Sequence, residues 1–457
     1  MAAPPDLVVR PAPAGLSQHI GRTLRLALPV MASRAGLLLL AVVDTAMTGH
    51  AGPEQLAYYA LAMAVQIFVL LVGIGLLLGT VVMTAQADGA GRPADCGAVW
   101  RVALVHAALI GLVQAALMYG GEGFLGLAGQ GPALAEGGGR VMVVLGWSLP
   151  AMLLFIATTL FLEGIGRPLP SLLIMLVANG LNAGLNWLLI YGHWGLPALG
   201  AEGAALATTL VRWFMCMAVI GYALGRVDRR HYGLTGPIPD FRRIGRTLRR
   251  IGYPMALTQG LESGAFSTMT LFAGLIGPIQ VAAYQIAMTL IALVFMCAQG
   301  FTTAASIRVG NAVGRGDQGG IRTAGWTAVG LSVGMLALFS LLFATYPQAL
   351  TALYTDDPRV TAVTVAALLV VAWVLVPDGL QAVFNGALRG VGDVWPATGL
   401  FLIAFWGVMI PAGYWLGVAR GAGAVGLVQA ILLGTTVAAC CLALRFQIVS
   451  RRVIRRL

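Results

Sequence analysis

The 457-residue chain contains no lysine, only 17 acidic residues and only five cysteines. Charged residues make up 10% of it, whereas a soluble domain contains about 25%. Neither the cysteines nor the five histidines have the spacing of a metal site or of a disulfide framework. The sequence also lacks a GxxxxGK[ST] phosphate-binding loop. We therefore expect no enzyme activity, no cofactor and no ATP-driven work by this chain.

Long apolar segments dominate what is present, since 59% of the residues are hydrophobic. A helix needs about 20 mostly apolar residues to cross the hydrocarbon core of a bilayer. Twelve segments satisfy this length, which predicts an all-α polytopic membrane protein with twelve transmembrane helices. The predicted spans are 25–48, 55–82, 97–119, 134–162, 168–191, 201–225, 248–273, 279–305, 321–345, 360–388, 394–416 and 424–446.

The basic residues indicate the orientation of these spans. All 28 are arginine, and the net charge is +11. If the N-terminus lies inside, 23 arginines fall on the inner side and three on the outer side. This bias predicts that both termini are cytoplasmic, and it explains the charge without nucleic-acid binding. We expect a monomer in a bacterial inner (plasma) membrane, with membrane lipids around it.

The two halves of the chain are copies of each other. Adding 225 to a residue number aligns residues 25–91 with 250–316 without a gap, and EGIGRPLP from Glu163 matches RGVGDVWP from Arg389 at an offset of 226. Six spans separate the copies, which predicts two pseudo-symmetric six-helix lobes about an axis along the membrane normal, with a cavity between them. The predicted domains are a cytoplasmic tail (1–22), an N-lobe (23–225), a basic cytoplasmic linker (226–246), a C-lobe (247–446) and a second tail (447–457).

Three acids inside the predicted spans break this symmetry. Glu262 in span 7 and Asp378 in span 10 lie at similar, central depth and have no acidic counterpart in the first half. A carboxylate at bilayer depth is costly and is a candidate functional group. If helix rotation brings the two together, they could take up a proton, and their oxygens would equally suit a hard cation such as Na⁺.

The third acid, Asp44, has possible partners in span 5. Asp44 and Asn186 each lie five residues before the outer end of their span, and Asn182 shares a helical face with Asn186. Together with Thr208 they form a predicted polar cluster of the first half, a proton or substrate site. Polar residues in spans also serve as interhelical hydrogen-bonding groups. A buried arginine, Arg34 or Arg212, could alternatively be a structural partner of an intramembrane acid.

Several motifs together resemble the multidrug and toxic compound extrusion (MATE) family, and within it the NorM-type branch. They are LPVMASRAGLLLLAVVDTAMTGHAG from Leu28, EGIGRPLPSLL from Glu163, NGLNAGLNWLLIYG from Asn179, GAEGAALATTLVRW from Gly200, VAAYQIAMTL from Val281, SIRVGNAVGRG from Ser306 and NGALRGVGD from Asn385. The resemblance covers all twelve spans. It implies a cation-coupled exporter of small organic cations that works by alternating access between the two lobes.

The resemblance also implies roles for individual residues. The acids that NorM-type members carry in spans 7 and 10, linked to the coupling cation, match Glu262 and Asp378. The acid of span 1 matches Asp44, and the span 5 asparagines match Asn182 and Asn186. Val374 departs from the pattern, because some NorM-type proteins carry tyrosine one turn before the span 10 acid.

Two other functions remain alternatives at this point. A lipid-linked precursor flippase of the same superfamily would need basic residues in its cavity to hold pyrophosphate, whereas the central charges here are acidic. A membrane scaffold or receptor would not require unmirrored acids at central depth. The residues therefore favour a secondary antiporter that exchanges lipophilic cations for Na⁺ or H⁺.

Overall fold

The computed structural model describes residues 16–238 and 240–452, and within these ranges the regular structure is helical throughout. The first lobe begins with the long helix α1, and its spans are connected by short loops. Its helices are α1 (Leu16–His50), α2 (Pro53–Leu77), α3 (Gly79–Gly89), α4 (Pro93–Tyr119), α5 (Gly121–Leu127), α6 (Pro132–Gly146), α7 (Ser148–Gly164), α8 (Leu169–Tyr191) and α9 (Gly200–Arg226), with a 3₁₀ turn at His193–Gly195.

The second lobe repeats this order. Its helices are α10 (Phe241–Ile276), α11 (Pro278–Arg315), α12 (Gln318–Thr345), α13 (Pro347–Ala352), α14 (Pro358–Val391), α15 (Val394–Phe401), α16 (Ile410–Gly413) and α17 (Gly423–Val449). Two π-helical stretches, Leu402–Met409 and Tyr414–Ala419, join α15 and α16 into one span. One core of buried apolar side chains lies mainly in the second lobe and another mainly in the first, and each includes a few residues of the other lobe, such as Met31 and Met255.

Within the described residues, twelve helical segments match the twelve spans that the apolar runs predict. Ten helices are long and apolar enough to cross a membrane, and α6 with α7 forms an eleventh span that is bent by 41°. The twelfth, α10, has 36 residues. It is less apolar because it carries arginines at its start and Glu262 further along.

The spans extend further than the apolar runs alone indicate. Helices α1, α10 and α11 continue beyond the predicted spans at the end where arginines are abundant, and α10 already begins at Phe241 within the expected linker. A helix can continue into water once its polar residues are solvated, so hydrophobicity alone underestimates its length. The outermost parts of the predicted tails, 1–15 and 453–457, lie outside the described residues.

The side of the molecule that carries the start of α1, the α9–α10 connection and the end of α17 is called the basic face here. Near this face the lobes pack directly against each other, with α2 on α10 and α1 on α11. A methyl group added to Gly75 would lie 2.5 Å from the Cα atom of Ala256, and one added to Gly300 would collide with Met31. The offset of 225 relates these two contacts, so the interface has the predicted pseudo-two-fold symmetry.

A second symmetric crossing lies closer to the basic face, where α3 meets α11. Gly89 packs on the backbone of Asn311, and Gly314 packs on the backbone of Gln86. The Gln86 side chain also donates a hydrogen bond of 2.9 Å to the carbonyl oxygen of Gly390 in the second lobe. Since only hydrogen fits at the two glycine positions, the crossing holds the lobes together on the basic side.

Candidate functional site

The first-lobe site is centred on the buried carboxylate of Asp44 in α1. Its Oδ1 accepts a hydrogen bond of 2.6 Å from the amide of Asn186 in α8. Its Oδ2 accepts bonds from the hydroxyls of Tyr59 (2.9 Å) and Thr208 (2.8 Å), on α2 and α9. Asn182 joins the cluster indirectly, because its Oδ1 accepts from Asn186 at 3.3 Å. Three helices therefore position donors around one acid of α1, and one of these donors, Asn186, lies at the depth that matches Asp44.

A small cavity adjoins this carboxylate. It has a volume of about 50 Å³ and is lined by Asp44, Asn182, Thr208 and Arg212 together with apolar side chains. One water needs at least about 10–15 Å³ of such space, so the cavity has room for a few water molecules or a small ion. In this conformation it does not have room for a drug-sized molecule, which needs about 300 Å³ or more.

Arg212 lies on the same cavity, but it does not form an ion pair with Asp44. Its guanidinium donates to Ser148 at 2.7 Å and to Gln66 at 3.4 Å. No nitrogen of Arg212 approaches an oxygen of Asp44 within the 4.0 Å of an ion pair, and the donors to that carboxylate are the amide and hydroxyls described above. The alternative that Asp44 is the ion-pair partner of this buried arginine is therefore not supported.

The second-lobe site contains Glu262 of α10 and Asp378 of α14, which lie close enough for their charges to repel each other. The Gln381 side chain lies beside Asp378. Its amide nitrogen donates to Oδ1 of Asp378 at 3.4 Å. Asp378 is buried, whereas Glu262 is partly exposed. The rotation of the two helices, which sequence does not determine, thus places both carboxylates in one site.

These side chains fit a hard monovalent cation or a proton. The amide oxygen of Gln381 is buried and has no hydrogen-bonding partner, so it is free to act as an oxygen ligand beside the two carboxylates. Within residues 16–238 and 240–452 no group of three or more His, Cys, Asp and Glu side chains could hold a metal ion.

The two sites occupy equivalent places in the two lobes. Leu37 and Met152 line the first-lobe cavity, and the repeat offsets of 225 and 226 relate them to Glu262 and Asp378. Conversely, Met269 stands at the counterpart of Asp44 and is fully buried in the second-lobe core. Asp44 and Glu262 therefore belong to the repeat-equivalent helices α1 and α10 but stand at different positions along them, and Asp378 belongs to α14, the counterpart of α6 and α7.

Two residues of these sites are absent from the candidates derived from the sequence. Gln381 follows Asp378 by three residues, so helical spacing alone places both on one face. Tyr59 is identical to its repeat partner Tyr284, so a search for residues that differ between the halves does not select it, although it donates to Asp44, an acid that only the first half contains. A search for polar side chains one turn away from each intramembrane acid would have found Gln381.

The hydrogen bond from Tyr59 to Asp44 leads to a stability prediction. We expect Tyr59→Phe to lower the free energy of unfolding by about 1.5–3 kcal/mol, because a buried hydrogen bond to a charged group is lost. Its repeat partner supplies a matched control, since Tyr284 has Met269 where Tyr59 has Asp44. We expect Tyr284→Phe to change stability by less than half as much. Thermal unfolding of the purified variants in detergent measures both, and equal losses would contradict the prediction.

Twelve spans in two pseudo-symmetric lobes, with a polar site inside each lobe, define a multi-pass membrane transporter. The sequence profile of the MatE family matches residues 29–188 and 254–415. The chain is 36% identical over 430 residues to a probable multidrug resistance protein NorM from Caulobacter vibrioides, covering 94% of this chain and 91% of that protein. It is 35% identical over 447 residues to a protein of the same name from Bradyrhizobium diazoefficiens, covering 96% and 95%. The chain belongs to the MATE family of multidrug efflux transporters.

Solved structures share the fold. A eukaryotic MATE transporter, AtDTX14, superimposes with a TM-score of 0.86 at 21% identity, covering 96% of this chain and 98% of that one. A multidrug resistance MATE family transporter in an outward-facing conformation gives a TM-score of 0.88 at 20% identity, covering 95% and 96%. At this identity the likeness concerns the fold alone, and it agrees with the two-lobe arrangement described above.

Proposed function

We propose that the chain is a secondary antiporter that exports lipophilic organic cations in exchange for Na⁺ or H⁺. The observation that carries the proposal is the second-lobe site, where the charges of Glu262 and Asp378 repel each other and the amide oxygen of Gln381, beside Asp378, has no hydrogen-bonding partner. A buried carboxylate with a second carboxylate nearby is unfavourable unless a positive charge binds between them. A coupling cation that binds and leaves during each cycle supplies that charge.

Coupling requires the ion to bind the two conformations of the transporter with different affinity. The bond from Gln381 to Asp378 joins residues of α14, whereas Glu262 belongs to α10, so a shift between these helices changes the geometry of the site. We infer that ion binding by Glu262 and Asp378 stabilises one arrangement of α10 and α14. This arrangement has a weaker affinity for the exported cation, which is then released.

The first-lobe cluster of Asp44, Asn182, Asn186 and Thr208 is proposed as the place where a proton or the organic cation is recognised. Asp44 provides the negative charge, and the neutral side chains around it orient the carboxylate. Because the adjoining cavity has only about 50 Å³ in this conformation, drug binding at this site requires a conformation in which the lobe or the central cleft opens further.

The arrangement of charges also supports an orientation in the membrane. The basic face carries most arginines, which favours the cytoplasmic side by the positive-inside rule. We therefore propose that both termini are cytoplasmic, that the membrane is the bacterial plasma membrane, and that export proceeds toward the opposite face. The acidic sites favour this function over a flippase for pyrophosphate-linked lipids, which would need a basic cavity.

Efflux from proteoliposomes tests the proposal and identifies the ion. Purified protein is reconstituted, loaded with an ethidium-like cation and exposed first to an imposed Na⁺ gradient and then to an imposed pH gradient. We expect one tenfold ion gradient to drive efflux until the organic cation is about tenfold more concentrated outside than inside for one-to-one exchange, since that gradient supplies about 1.4 kcal/mol. Failure of both gradients to drive efflux of any organic cation would overturn the proposal.

A further inference from the structure

A second cavity lies at the basic face of the first lobe, distant from the two acidic sites in the chain's architecture. Its volume is about 460 Å³. Arg25 of α1, Arg167 of the α7–α8 connection and Tyr222 near the end of α9 contribute to its wall, together with Leu169 and Leu173 from the first turns of α8. The cavity thus combines two cationic groups with an apolar edge.

The two arginines of this cavity have no internal counter-charge. In the part of the chain that the structure describes, neither the Arg25 nor the Arg167 guanidinium makes a hydrogen bond or an ion pair, and both side chains are exposed. Two guanidinium groups facing one cavity attract an anion, and a phosphate accepts hydrogen bonds from the planar guanidinium group with good geometry.

The second lobe shows what the first lobe lacks at this place. The offset of 226 relates Arg167 to Asp393. At the starts of α9 and α17 the backbone N–H groups of Ala201 and Ala424 donate equivalent hydrogen bonds of 2.8 Å to Gln55 and Gln280. These two helices are therefore related by an offset of 223, which makes Arg445 the counterpart of Tyr222. Asp393 and Arg445 form a bidentate ion pair with distances of 2.7 and 2.9 Å.

The second lobe therefore contains its own anion at this position, and the first lobe does not. Replacement of that acid by Arg167, and of its arginine partner by Tyr222, leaves an open basic cavity in place of a closed ion pair. The repeated fold tolerates the closed arrangement, so the open one is a property of the first lobe's side chains and not a requirement of the architecture.

The apolar edge of the cavity indicates which kind of anion fits. Leu169 is 53% exposed and Leu173 is 60% exposed, and both belong to α8, a helix that crosses the membrane. In the bilayer these leucines contact acyl chains, while the neighbouring arginines lie at the level of the headgroups. Basic pockets between spanning helices at such a face are typical binding places for anionic lipid headgroups.

We propose that this cavity binds a phosphate-bearing anionic lipid of the adjacent leaflet. The headgroup phosphate lies between Arg25 and Arg167, and the acyl chains follow Leu169 and Leu173 along α8. The lipid supplies to the first lobe the negative charge that Asp393 supplies to the second.

Native mass spectrometry of the delipidated protein tests the assignment. The protein is titrated with phosphatidylglycerol, with zwitterionic phosphatidylcholine, and with inorganic phosphate. We expect one phosphatidylglycerol to bind more tightly than the rest, and Arg25→Gln/Arg167→Gln to weaken that binding by about 25-fold, at about fivefold for each arginine near the surface. Arg242→Gln, which removes an exposed arginine of the same face outside the cavity, is the matched control and should leave the binding unchanged.

A second variant transfers the ion pair of the second lobe into the first. In Arg167→Asp/Tyr222→Arg the cavity receives an acid and an arginine that can pair with it. We therefore expect the tightly bound lipid to be lost, while the unfolding temperature equals that of the unaltered protein. Retention of the tight lipid in both double variants would overturn the proposal. Binding of inorganic phosphate to the cavity without binding of phosphatidylglycerol would overturn the lipid assignment in favour of a free anion. The readout is binding, so it is independent of any transport activity.

Discussion

Replacing Glu262 by glutamine is expected to abolish cation-driven efflux, with a decrease of about 100-fold or more. Glutamine has nearly the same shape but carries no charge, so it cannot compensate a bound Na⁺ and does not take up a proton in this range. The Asp378 carboxylate and the amide oxygen of Gln381 would then remain as cation ligands, without the second negative charge of Glu262. The measurement is efflux of an ethidium-like cation from proteoliposomes under the gradient that drives the unaltered protein.

Two companion variants separate this effect from damage to the fold. Glu54→Gln removes an exposed acid at the start of α2 and should leave efflux within about twofold, as is usual for surface substitutions. Glu262→Asp keeps the charge but shortens the side chain, so partial efflux is expected with a weaker apparent affinity for the ion. Gradient-driven efflux by Glu262→Gln at the rate of the unaltered protein would show that the coupling ion does not depend on this carboxylate.

Much of this architecture follows from the sequence because the bilayer restricts what the chain can form. Every backbone polar group in the hydrocarbon region needs an internal partner, so each long apolar run must be a helix. The arginine distribution and the offset of 225 then define the two lobes. They also identify Gly89 and Gly314 as equivalent. The sequence does not reveal that Gly89 packs on Asn311 and that Gly314 packs on Gln86.

Contacts between side chains depend on helix rotation, which has a weaker signal. The matched depth of Asp44 and Asn186 predicts that they share a polar cluster, and a hydrogen bond joins them because both side chains lie at the same height on adjacent helices. Thr208 binds the same carboxylate from α9, a contact that depth alone does not distinguish from ordinary interhelical bonding. The sequence predicts equal depth for Glu262 and Asp378 but not that they face each other, since a rotation by one residue, about 100°, would turn either acid away.

The two lobes are held together at the basic face by the crossing of α3 and α11. Disrupting this crossing is expected to change the balance between the conformations of the transporter. Adding a methyl group at Gly89 or Gly314 would push the backbone of Asn311 or Gln86 away. Backbone cannot move aside as a flexible side chain does, and overpacking of this kind costs about 1–3 kcal/mol per site. The cost arises only when the lobes are closed at this face, so the methyl groups destabilise one conformation and not the fold as a whole.

We therefore expect Gly89→Ala/Gly314→Ala to shift the equilibrium by about 30-fold or more toward a conformation open at the basic face, as two sites at about 1 kcal/mol each imply. Efflux should fall with it, because alternating access requires both conformations to be populated. Spin labels at Arg92 and Arg322, exposed positions on the two lobes near this face, measure the change as a longer distance between the lobes.

The matched control for this variant is Gly330→Ala in α12, where an added methyl group meets no atom within 4 Å. Alanine also favours helix over glycine by about 0.8–1 kcal/mol, so this variant should be slightly more stable and should keep the distance of the unaltered protein. If the double variant kept that distance as well, the glycine crossing would not be what holds the basic side closed. The symmetric contacts of Gly75 and Gly300, nearer the membrane centre, would then hold the lobes together. In that case the same labels would show a longer distance between the lobes in Gly75→Ala/Gly300→Ala.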